Sequence, residues 1–118
     1  MTYRVEMSRL ALKDAENAYL WLKAESEERA NEWFRGLVEA VNSLKNLPNR
    51  CPIAPENRSF IIEIRQLLYG KNKNRFRIIF GVSVDEKTGE EMVLIYRIRH
   101  GSQKYLSDLE IIGESDDK

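Results

Sequence analysis

Three apolar runs set at short intervals constrain this chain more than anything else in it: FIIEIRQLLY (residues 60–69), RFRIIFGVSV (75–84) and MVLIYRIRH (92–100). Each is rich in β-branched and aromatic residues and is bounded by turn-forming ones, the signature of strands. The linkers GKNKN (70–74) and DEKTGEE (85–91) are too short for a parallel crossover, so consecutive strands must pair antiparallel. Such a sheet buries at least one face, and an earlier part of the chain must cover it.

That cover is legible upstream. YRVEM (3–7) alternates Tyr3, Val5 and Met7 with Arg4 and Glu6, the period of a half-buried first strand. Ser8 then reads as an N-cap, with Leu10, Ala11, Ala15, Ala18, Tyr19 and Leu22 at helical spacing after it. Ser26 followed by Glu27 and Glu28 opens a second helix whose stripe is Ala30, Trp33, Phe34, Leu37, Val41 and Leu44. A connection at residues 24–27 folds the two into a hairpin, with Trp21 and Trp33 as packing residues. Pro48, Pro52 and Pro55 end the second helix near residue 47. Gly70 and Gly101 suit turns, and Gly81 suits a bulge. The order is β-α-α-β-β-β, an α+β domain with helices on one face of an antiparallel sheet.

With 118 residues, 42% of them apolar, the chain has material for one small core and not two. We place a single domain at residues 1–112 and a disordered acidic tail at 113–118. Cys51 is the only cysteine and His100 the only histidine, so no internal disulfide forms and no structural zinc site is expected. No other metal or cofactor is implied. Arg4, Glu6 and Arg9 interrupt the start before any leader or membrane span can form, which points to the cytoplasm.

Nineteen basic and nineteen acidic side chains cancel overall, yet they are segregated. Between Arg58 and Tyr105 ten basic residues face five acidic ones, and the tail reverses the sign. Period-two alternation then sorts the sheet residues by face. It puts Phe60, Ile62, Ile64 and Leu68, then Phe76, Ile78, Phe80, Val82 and Val84, then Met92, Leu94, Tyr96 and Ile98 in the core. The opposite face receives Arg65 and Tyr69 beside Glu63, then Arg75 and Arg77, then Arg97 and Arg99; His100 falls on the helix side. Arg65, Arg75, Arg77, Arg97 and Arg99 are therefore the candidate target- or phosphate-binding residues, because guanidinium forks hold phosphate and carboxylate in bidentate fashion. The other reading of the same charges is a solvated face screened by Glu63 and the tail.

The chain resembles the RelE/ParE toxins of bacterial type II toxin-antitoxin pairs. The resemblance lies in YRVEMSRLALKDAENAYLWL, in AVNSLKNLPNRCPIAPE, and above all in IRQLLYGKNKNRFRIIFGV with VLIYRIRHGSQ. It implies the fold derived above, a cognate antitoxin as partner, and one of two targets. RelE-like relatives cleave mRNA on the ribosome. For that branch the resemblance implies Arg77 on the scissile phosphate, Arg99 and Tyr105 at the end of the last strand, and His100 or Tyr105 in acid-base work. ParE-like relatives inhibit DNA gyrase, and the RIRHG ending (97–101) resembles them, although Gln103 stands where many carry a basic residue. The two lysines frequent on the second strand of RelE-like enzymes are replaced by Ile61 and Glu63. Glu63 with His100 is an alternative base and acid; His100 is otherwise a contact residue or a structural cap.

Overall fold

The computed structural model describes residues 2–56, 63–71 and 74–102. Strand β1 (Arg4–Met7) leads into helices α1 (Arg9–Lys23) and α2 (Glu27–Asn42), followed by strands β2 (Arg65–Tyr69), β3 (Phe76–Val84) and β4 (Glu91–His100). The α+β order is the one the sequence predicts. Both caps are as expected: Ser8 Oγ accepts from the Ala11 amide at 3.0 Å, and Ser26 Oγ from that of Arg29 at 3.2 Å. Helix α2 ends at Asn42, earlier than the prolines require, and tightens into a 3₁₀ turn at Ser43–Lys45. Arg50 steadies that end, donating to the carbonyls of Asn46 at 2.7 Å and Leu47 at 3.2 Å.

The sheet has the order β1-β4-β3-β2. The three later strands pair antiparallel, and β1 joins as an edge strand parallel to β4, with Arg4 opposite Met92 and Met7 opposite Ile95. Ser8 ties this edge to α1: its amide donates to the Ile95 carbonyl at 2.9 Å and its hydroxyl to that of Tyr96 at 2.8 Å. The main core fills the space between sheet and helices, with Ala11, Ala15, Leu37, Val41 and Leu44 packed on Phe76, Ile78, Phe80, Val93, Ile95 and Ile98.

In β3 the predicted alternation holds for Phe76, Ile78 and Phe80, which face the helices with Val82 packed beside them, but not for Val84, which ends the strand 56% exposed beyond the reach of the helices. In β4 it fails at one point. Val93 and Ile95 face the helices in place of Met92, Leu94 and Tyr96, because the register slips between Ile79 and Phe80 and leaves Tyr96 without a partner across the ladder. One bulged residue reverses parity on one side and restores it on the other, so Ile98 and His100 end where alternation placed them. In β2 the core residues are Leu67 and Tyr69, while Leu68 is 47% exposed. The Tyr69 hydroxyl donates to the Trp33 carbonyl at 2.8 Å, a partner that only the helix side offers. Phe60 and Ile62 lie outside the described residues.

Candidate functional site

The face predicted to be open carries a cover. After the prolines the chain runs back along β2: the Ala54 amide donates to the Ile64 carbonyl at 2.8 Å and the Gln66 amide to that of Pro52 at 3.0 Å. Ile53 bridges Arg65 in the same stretch. Ala54, Ile64 and Ile79 form a second small core there, with Tyr96 against it. The Tyr96 ring lies over Gly81, where an added Cβ would meet it at 2.9 Å. A proline-rich segment reads as a loop from composition alone; nothing in its residue types says that it docks on a sheet.

Beneath this strap sits Arg77. Its Nη2 donates to Glu56 Oε1 at 2.6 Å and its Nε to Gln66 Oε1 at 2.8 Å. The two charged side chains are 6% and 0% exposed. A phosphate could reach this guanidinium only by displacing a buried carboxylate already in charge-assisted contact with it. Arg99 stands directly across the ladder from Arg77, and Arg75, the residue just before β3, is exposed.

The remaining arginines do not converge there, which corrects the expected five-arginine face. Arg97 follows the bulge at Tyr96 and turns to α1, where its Nε and Nη2 lie 2.7 and 2.9 Å from the two oxygens of Asp14. Asp14 also accepts from the Ile98 amide at 3.0 Å, so this ion pair locks α1 onto β4. Arg65 has helix-side parity and holds the strap, donating to the carbonyls of Cys51 and Asn49 and pairing with Glu63 at 3.0 Å. Burial pushes the neighbouring Cys51 thiol up, with the charges of Arg50 and Arg65 pulling less strongly the other way.

His100 ends β4 on the helix side, edge-on to Phe76 with ring centroids 5.2 Å apart. Its Nδ1 accepts from the Ser102 amide at 3.1 Å and lies 2.8 Å from the Ser102 hydroxyl. A backbone N–H can only donate, so the proton of the neutral ring sits on Nε2. The Gly101 amide donates to the Arg75 carbonyl at 2.8 Å and closes this end of the sheet. Tyr105 and Gln103 lie outside the described residues, as does the tail. Among the described residues no three His, Cys, Asp or Glu side chains gather where a metal could bind, and no helix is long and apolar enough to cross a membrane.

A second feature escaped the sequence reading. Between α1 and α2, beside β1, lies an apolar groove of about 700 Å³ lined by Leu12, Tyr19, Phe34 and Val38 from the helices and by Val5 and Met7 from the strand. Part of its signal was present in the sequence: Leu12 and Val38 are among the large apolar residues that the two helical stripes do not account for.

The family model of the ParE toxin of the type II toxin-antitoxin system, parDE, matches residues 5–105. A solved structure of the chromosomal ParDE toxin-antitoxin system from P. aeruginosa has a similar fold, with a TM-score of 0.60 at 20% identity. The match covers 84% of this chain and 96% of that one. No curated protein matches the chain.

Proposed function

This chain belongs to the ParE toxin family of type II toxin-antitoxin systems, and we propose that it disables its target by binding, with DNA gyrase as that target, rather than by cutting RNA. The observation that carries this reading is the Arg77–Glu56 pair. A ribonuclease of the RelE kind needs a guanidinium open to the scissile phosphate, and here the corresponding group is covered and neutralised. Binding to a large cytoplasmic machine needs only an accessible, shaped surface. Whichever target the toxin disables, the groove between α1 and α2 suits an amphipathic helix of a cognate antitoxin, whose apolar residues would meet Leu12, Phe34 and Val38.

The test is supercoiling of relaxed plasmid by purified gyrase with increasing amounts of this protein. Supercoiling is expected to fall, while mRNA 5′ ends mapped in cells minutes after induction stay unchanged. Undiminished supercoiling at saturating protein rejects the proposal. New 5′ ends inside codons would support the ribosome-dependent endoribonuclease in its place, with Arg77, Arg99 and His100 or Tyr105 as its catalytic residues.

A further inference from the structure

Trp21 is 60% exposed, although a tryptophan on an amphipathic helix ordinarily turns its ring inward. It stands in the last turns of α1, its ring 6.3 Å from that of His100 and steeply inclined to it. His100 in turn is edge-on to Phe76. These three rings border a cavity of about 380 Å³ between α1 and the end of β4, with Ala18 and Ile98 as apolar lining and Asn17 and Asp14 as its polar side. Arg97 answers the charge of Asp14 through two contacts of 2.7 and 2.9 Å, and among the described residues no lysine or arginine lines the cavity.

A recess with aromatic walls, one amide edge and a carboxylate already answered by Arg97 suits a planar heterocycle. Rings stack on any base, whereas an asparagine amide, with one donor and one acceptor side by side, matches the adenine edge. A phosphate finds no cation among these lining residues. We infer that this cavity is a nucleobase subsite, in which the base stacks on Trp21 and Asn17 reads its edge, with adenine preferred. The inference does not depend on which target the toxin disables. Binding is driven by the base, so adenosine and AMP bind alike and added salt changes little.

The experiment is a titration of the full chain with adenosine, AMP, guanosine, cytidine and uridine, followed by tryptophan fluorescence. Trp21→Leu separates the signal from that of Trp33. Trp21 and Asn17 are both exposed, so their substitution leaves the core intact, which circular dichroism checks. Saturable quenching by adenosine is expected, matched by AMP within about twofold; titration calorimetry, which does not depend on the removed fluorophore, is expected to show affinity weakened about tenfold or more in Trp21→Leu. Asn17→Ala is expected to erase the preference for adenine while leaving stacking in place. Any of three results overturns the inference: no saturable quenching by a nucleoside, affinity unchanged in Trp21→Leu, or tighter binding of p-cresol than of adenosine. The last would make the cavity a socket for a partner protein's aromatic side chain.

Discussion

Arg77 holds a full charge where water scarcely reaches, and the cost of that burial is met by Glu56 and Gln66. Its removal therefore acts first on the fold. Arg77→Ala leaves the Glu56 carboxylate buried without its guanidinium, which is expected to cost about 3–5 kcal/mol in urea denaturation. The double change Glu56→Gln with Arg77→Met should lose less than Arg77→Ala alone, since it removes both charges together. A loss of toxicity in Arg77→Ala would then report unfolding as readily as function. Arg75 immediately precedes the same strand and is exposed, so Arg75→Ala is the cleaner probe. It should leave the urea midpoint unchanged, and any change in toxicity can then be read as contact with the target.

At the scale of the elements, Gly36 shows how two of them were fitted together. It lies within α2, where glycine is about 1 kcal/mol poorer than alanine. A Cβ at this position would land on the Tyr69 hydroxyl, which uses the gap to reach the Trp33 carbonyl. Gly36→Ala is accordingly expected to lower the thermal midpoint despite its gain in helix propensity, and Tyr69→Phe in the same chain to restore part of the loss. A rise in the midpoint would show that β2 shifts freely against α2. The same packing explains what could be read from the sequence. The caps at Ser8 and Ser26, the hairpin and the face of β3 follow from local patterns and were legible. The faces of β2 and β4 were not, because both strands are apolar on both sides and the deciding contacts lie far off in the chain. Tyr69 is fixed by Trp33, and the bulge at Tyr96 sits beside the start of α1. The candidate site failed for the same reason: alternation assigns Arg97 and Arg65 a face but gives no hint of Asp14 or of the carbonyls at Asn49 and Cys51.

For the whole molecule, three neutral acids, the buried Cys51 and the half-buried Tyr69 and Tyr96, act in the same direction. Burial pushes the Cys51 thiol and the Tyr69 and Tyr96 phenols up, with the charge of Glu39 adding to the effect at Tyr69. The folded chain thus keeps protons that the unfolded chain releases, and stability falls as pH rises past the ordinary thiol and phenol values of about 8.5 and 10. Urea midpoints at about pH 7 and about pH 10.5 should differ, the alkaline one lower. Equal midpoints would contradict the burial of these groups.

The parallel seam between β1 and β4 sets a timetable for the newborn toxin. Arg4 and Met92 lie 88 positions apart, yet they are neighbours in the sheet. Synthesis delivers β1 first, and it has no strand to lie against until β4 has left the ribosome. The helical hairpin likewise waits for Val93, Ile95 and Ile98, on which Ala11 and Ala15 pack. A nascent chain interrupted before β4 carries the helices without the surface that holds them, so the fold is completed only when the last strand arrives.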